Sequence, residues 1–154
     1  MRREATPEMF DRAWRLVESG RTREGFRLMF RLASVGDPGA QVCVGCFYSD
    51  ATGTRRVRER AMYWFRRAHR NGDAAAAANI GTIYRDEGRP KLAERWFREA
   101  VRLGLDDAWL ELAKLYLGAL RNPARARAAL KRLLAAKNIA PGSREEGRER
   151  LAAL

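Results

Sequence analysis

Three stretches of this chain fall into one register. "AQVCVGCFYSD" from Ala40, "AAANIGTIYRD" from Ala76 and "AWLELAKLYLG" from Ala108 each run alanine, four residues, a small residue, two residues, tyrosine. The small residues are Gly45, Gly81 and Ala113. The tyrosines are Tyr48, Tyr84 and Tyr116, spaced 36 and then 32 residues apart. A second frame follows the first. "AMYWFRRAHRNGD" from Ala61 and "AERWFREAVRLGL" from Ala93 share A-x-x-W-F-R-x-A and close on Gly72 and Gly104. "GFRLMFRLASVGD" from Gly25 keeps that frame, and "ARAALKRLLAA" from Ala126 keeps it loosely. In "AWRLVESG", Ala13 and Leu16 stand where the later units have Gly and Tyr. A fixed period in this range marks stacked supersecondary units that bury their apolar faces against one another. The expectation is one repeat domain over residues 1–154, with units near 6–36, 37–72, 73–105 and 106–137 and a terminal helix at 143–154.

Each frame has helical spacing. Gly81 to Tyr84 is i, i+3, and Ala93 to Phe97 is i, i+4. Small residues recur where two helices must cross closely, and the aromatics fill the space beside the crossing. Thr6-Pro7, Asp37-Pro38 and Asn122-Pro123 each set a capping residue before a proline suited to the first helical position. Gly36, Gly72 and Gly104 stand where helices should end. "SREE" at 143–146 reads as a capping box opening the last helix. The pattern predicts helices near 8–19, 23–35, 38–50, 57–71, 74–87, 90–103, 107–118, 123–136 and 144–153, and no strand. The fold class is all-α: about four helix-turn-helix units and a C-terminal capping helix.

At these residues the chain resembles the tetratricopeptide superfamily and, within it, the Sel-one-like repeat. Trp109-x2-Leu112-Ala113-x2-Tyr116 follows W-x2-L-G-x2-Y, and Ala93-x3-Phe97 follows A-x3-F. The Sel-one branch is indicated by the repeated A-x2-W-F-x2-A and by Gly followed four residues later by Ala. It is also indicated by the long gap of 13 residues from Tyr48 to Ala61, against 9 from Tyr84 to Ala93. The tetratricopeptide proline near each repeat end is missing. The resemblance spans residues 6–137 or so. It implies a right-handed solenoid whose first helices line a concave groove and whose second helices form a convex back. It also implies protein binding as an adaptor or scaffold, often bacterial, with regulators and toxin-neutralising immunity proteins among such members. It brings no chemistry with it.

The residues offer little chemistry of their own. Cys43 and Cys46 form a C-x-x-C, but they flank Gly45 in mid-helix, whereas a redox pair wants its nucleophile at a helix N-terminus. With the single histidine, His69, they make three zinc ligands where four are needed. His69 sits among arginines on a second helix and reads as a solvent-facing side chain. No G-x-S-x-G, phosphate loop, HExxH or paired-carboxylate motif occurs. The expectation is a protein that is not an enzyme and has no catalytic residue, metal or cofactor. No apolar run is long enough to span a bilayer, and "MRREATPEMF" has no apolar stretch behind its arginines. The expected compartment is the cytoplasm, with no membrane insertion.

Two surfaces are candidate sites. Counting three before, one after and four after each crossing residue gives one face of every first helix. That face holds Phe10, Trp14 and Val17; Val42, Cys46 and Ser49; Ala78, Thr82 and Arg85; and Leu110, Lys114 and Leu117. Its apolar and small lining suits an apolar helix or extended segment of a partner protein, with Trp14 and Leu110 as the largest anchors. The competing expectation is that the chain fills part of this groove itself, with its terminal helix. The second surface is basic. The chain has 31 basic and 19 acidic residues, a net charge of +12, and 27 of the basic residues are arginine. Arg66, Arg67, Arg70, Arg98, Arg102 and Lys131 recur at related positions on the second helices. Such a face suits an acidic protein or, as the alternative function, a nucleic acid. Trp64 and Trp96 belong to the packing frame, so exposed rings for stacking bases are not expected.

Overall fold

The computed structural model describes residues 7–154. Among these residues the chain forms nine helices and no strand. They are α1 Pro7–Glu18, α2 Thr22–Val35, α3 Pro38–Asp50, α4 Arg58–Arg70, α5 Ala74–Asp86, α6 Pro90–Arg102, α7 Ala108–Leu117, α8 Pro123–Ala135 and α9 Pro141–Ala152. The all-α repeat architecture is the expected one. The chain divides into two compact units, Met1–Ala76 and Ala77–Leu154. The first holds the hairpins α1–α2 and α3–α4. The second holds most of α5 with α6, the hairpin α7–α8, and α9.

Helix ends follow the local chemistry. Asp37 accepts a hydrogen bond from the Ala40 amide at 2.6 Å, and Asn122 accepts one from the Arg125 amide at 3.0 Å. Both are N-caps before a proline, as the sequence predicts. Thr6 lies outside the described residues. Gly36 has φ +111°, and its amide donates to the Ala33 carbonyl while the Asp37 amide donates to the Leu32 carbonyl. That pair of bonds is a Schellman motif, which needs a left-handed residue at its bend. Gly72 and Asp73 repeat it on His69 and Ala68, and Gly104 and Leu105 repeat it on Val101 and Ala100. Asp73 then caps α5 by accepting from the Ala76 amide at 2.8 Å.

The crossings are where the two frames meet. A Cβ placed on Gly45 would lie 2.5 Å from the Phe65 ring, and one on Gly81 would lie 2.8 Å from the Phe97 ring. Phe65 and Phe97 are fully buried. Each ring fills the notch that its glycine leaves, so the two hairpins share one packing device. Gly25 plays the part in the first hairpin, where a Cβ would meet Val17 and the Ala13 backbone. In the second unit, Ala77, Ala100 and Ala108 form a buried cluster with Trp96, Val101, Leu103 and Leu105 packed on it.

One buried polar side chain stands out in the first unit. Gln41 donates to the Ala33 carbonyl at 3.3 Å and accepts from the Asn71 side-chain amide at 3.2 Å. It joins the end of α2 to the end of α4 through α3, and no buried side-chain polar atom among the described residues lacks a partner.

The start of α9 departs from the expectation. The helix begins at Pro141, not at a Ser143 capping box, and Ser143 and Glu146 lie inside it. Pro141 is preset for the first helical position, and its neighbour's amide is satisfied elsewhere: Ala140 donates to Asp107 at 3.0 Å. Arg144 then reaches back to the Leu134 and Ala136 carbonyls at 3.2 and 2.9 Å, tying α9 to the end of α8. Gly147 is buried, and a Cβ there would lie 2.7 Å from Leu133.

Candidate functional site

The first-helix face of the first unit is open. Ala13 is buried towards α2, which turns Phe10 and Trp14 onto the neighbouring face of α1; Val17, expected on that face, meets α2 at Gly25 instead. Phe10 and Val17 are half-buried, and Trp14 is 43% exposed. The Trp14 indole lies nearly parallel to the Phe47 ring, with centroids 6.4 Å apart and an interplanar angle of 13°. Phe10 comes to within 3.6 Å of where a Cβ on Gly39 would stand, so the absence of a side chain there makes room for its ring. Phe10, Asp11, Trp14, Arg15 and Cys43 line an open depression of about 500 Å³. Val42, Cys46 and Ser49 of α3 are half-buried. The counting rule on α3 finds Cys46 but misses Cys43, and it misses Asp11 and Arg15 on α1. Residues one helical turn from Gly39 and Trp14 were the available signal.

In the second unit the matching face is charged and ion-paired. Ala78 and Thr82 are half-buried, and Arg85 pairs with Glu111 at 2.7 Å and with Asp86 at 3.0 Å. Lys114 pairs with Glu111 at 3.1 Å and with Glu146 of α9 at 3.3 Å; Glu146 also pairs with Arg150 at 2.8 Å. Burial works against the Glu146 carboxylate, but its bonds from Arg150 and Lys114 outweigh that and hold its pKa below the ordinary range. Together with the bond from Ala140 to Asp107, this ties the start and middle of α9 to α7 at two points. Leu110 lies between those two contacts and is 5% exposed. Leu110, expected as a groove-facing anchor, is therefore a buried residue and not an exposed one. Leu117 is half-buried.

The second-helix faces are basic as expected, with one correction. Arg66, Arg70, Arg98, Arg102 and Lys131 are exposed, and Arg102 pairs with Glu99 at 2.7 Å. Arg67 is half-buried because its guanidinium lies over the Trp64 ring, 5.5 Å from the centroid. Exposed aromatics do occur here. Tyr63 is 54% and Phe30 is 37% exposed, and both meet buried Trp64 edge-on, at 5.2 and 5.4 Å. The frame places Trp64 and Phe65 inside, which leaves Tyr63, one residue earlier, on the outer side of α4.

Both cysteine thiols are held protonated at neutral pH. Both are half-buried in mid-α3 and neither is in a disulfide. Burial, then the neighbouring Cys46, Asp37 and Asp73, pushes the Cys43 thiol up to about 11; burial and Asp50 do the same for Cys46. A thiol held protonated is a poor nucleophile and a poor metal ligand. No group of three His, Cys, Asp or Glu side chains among the described residues is arranged to hold a metal ion. His69 is half-buried on the last turn of α4, not fully turned to solvent. No described helix is long and apolar enough to cross a membrane.

No family model matches the chain, and no curated protein matches it. Solved structures do. A Sel1 repeat protein from Oxalobacter formigenes superposes with a TM-score of 0.75 at 19% identity, over 94% of this chain and 61% of its own. A protective antigen of uropathogenic Escherichia coli displaying an SLR fold gives 0.67 at 25% identity, over 81% of this chain and 29% of its own. Nearly identical TPR-like repeats from Podosopora anserina give 0.63 at 15% identity, over 95% and 83%. The chain thus spans less than two thirds of the length of the first two. With its paired helices, glycine–aromatic crossings and Schellman joints, the chain has the fold of the Sel1-like and tetratricopeptide-like repeat superfamily.

Proposed function

We propose that this protein is a non-catalytic adaptor or scaffold that holds an apolar segment of a partner protein on the α1–α3 face of its first unit. The observation that carries this reading is Trp14. A large ring held flat against Phe47, yet nearly half exposed at the mouth of a 500 Å³ depression, is what an interface anchor looks like before its partner arrives. Repeat proteins of this fold present such faces as binding surfaces. A regulator or a toxin-neutralising immunity protein falls within this class; that narrower reading rests on the family resemblance alone. The test is affinity capture with the wild-type chain and with Trp14→Ala, followed by titration of the captured protein. Trp14→Ala should weaken binding by about 2 kcal/mol, some thirtyfold, with the helical signal unchanged. A partner bound equally well by both chains would reject the reading.

A second reading has one observation in its favour. Tyr63 and Phe30 lie exposed beside Arg67 on the α2–α4 side, with Arg66 and Arg70 exposed on the same helix, and arginine beside exposed rings suits single-stranded nucleic acid. Binding of this kind weakens steeply with salt and should fall on Tyr63→Ala. Absence of oligonucleotide binding at about 150 mM salt would remove it.

A further inference from the structure

The second unit has a recess on the side of α7 away from α9. At 3.6 residues per turn, Trp109 and Tyr116 lie opposite Asp107, Leu110 and Lys114. They form two walls of a recess of about 370 Å³ that is completed by Arg98 of α6, by Arg125 and Arg132 of α8, and by two alanines of α8. The Arg132 guanidinium lies 5.2 Å from the Trp109 ring centroid, and that of Arg125 lies 5.8 Å from the Tyr116 centroid. Glu94 is the nearby acid. It accepts from the Tyr116 hydroxyl at 2.6 Å and pairs with Arg125 at 3.3 Å. Arg98 and Arg132 have no carboxylate partner among the described residues.

Three guanidiniums against one carboxylate leave the recess with uncompensated positive charge. Arg132 and Arg125 are held over aromatic rings, which orient a guanidinium without neutralising it and leave its N–H edge available. The alanines leave room above them. We propose that this recess binds carboxylates of an acidic segment on a partner protein. A carboxylate matches the fork of a guanidinium in two parallel hydrogen bonds. A nucleic-acid strand finds less here, because the two rings are already covered by guanidiniums and none remains for a base to stack on. The inference rests on the protein-binding reading but uses neither Trp14 nor the α1–α3 depression.

The test is titration of a fluorescently labelled short polyglutamate peptide with the full chain at low salt, read by anisotropy. Arg98→Glu with Arg132→Glu should weaken binding at least about tenfold. Lys131→Glu with Arg148→Glu makes the same charge change at exposed sites outside the recess and should alter binding less than about twofold. Arg98→Lys with Arg132→Lys keeps the charge and loses the fork, so a clear loss of affinity there supports the site even if the glutamate variant misfolds. Trp14→Ala should leave peptide binding unchanged, which separates this site from the α1–α3 face. Equal losses in the recess and control pairs would mean diffuse attraction and overturn the proposal. So would no peptide binding by the wild type, or tighter binding of a single-stranded oligonucleotide that the recess variants abolish.

Discussion

The α1 and α7 faces start from the same counting rule and end in different states. On α1 it selects Phe10, Trp14 and Val17, and Trp14 stays 43% exposed. On α7 it selects Leu110, Lys114 and Leu117; Leu110 is 5% exposed and Lys114 is ion-paired to α9. The crossings behind the two faces are built differently: α1 meets Gly25 of α2 with Val17, whereas α7 has Ala113 in the small position. On the α7 side, Asp107 and Lys114 also bond to α9 and its preceding residue, and Gly147 of α9 sits against Leu133 of α8. A repeat frame thus fixes which residues face outward from a first helix. It does not fix how far they stay exposed, as Trp14 and Leu110 show.

The largest expected effect lies at the two glycine–aromatic crossings, α3 with α4 and α5 with α6. Phe65→Ala and Phe97→Ala should each cost about 3–5 kcal/mol in chemical denaturation, since each empties the notch beside its glycine. Losses below about 1 kcal/mol in either would mean that the two hairpins do not use the same crossing. Leu110→Ala comes next, at about 2–4 kcal/mol, as a buried leucine. Trp14→Ala removes a larger side chain yet should cost only about 1 kcal/mol, because much of that ring is already in water. A reversed order would mean that the α1 face is closed and the α7 face open. Gly147→Ile should cost about 1–3 kcal/mol by forcing α9 off Leu133. Its sharper signature is faster amide exchange confined to α9 and α8, with α1 and α3 unaffected. The smallest effect is on pH. The Glu146 carboxyl is held below its ordinary value, so its contribution is complete at neutral pH and fades as the pH falls below the ordinary carboxylate range. Amide exchange in α9 should therefore rise on acidification, and Glu146→Gln should flatten that dependence.

The helices were legible because their ends are local. Gly36, Gly72 and Gly104, with Asp37-Pro38 and Asn122-Pro123, place eight helices to within one residue of the expectation. α9 was misplaced by three residues because a good local signal, "SREE", lost to Pro141 combined with a bond from Ala140 to an aspartate 33 residues earlier. Asp107 looks like an N-cap, yet its side chain makes no cap bond to α7 and serves α9 instead. Trp14 was legible as an outward residue because Ala13 beside it repeats the small crossing position. Tyr63 was passed over because the motif drew attention to Trp64 and Phe65. The recess beside Trp109 was invisible because its three arginines lie on two helices separated by α7.

The joint at Asp37 has a consequence for how this chain changes length. Its amide closes the end of α2 and its carboxylate opens α3, and Asp73 serves α4 and α5 in the same way. One residue belongs to two helices, so an insertion there breaks a Schellman bond and an N-cap together. The segment 51–57 between α3 and α4 is different. Gly53 is pressed against the Thr22 carbonyl, but Arg55 and Arg56 beyond it are exposed. Lineages of this protein should vary in length at 55–56 and hold it at 36–37 and 72–73. A reporter peptide grafted after Arg55 is the insertion that the hairpin will carry without losing its register.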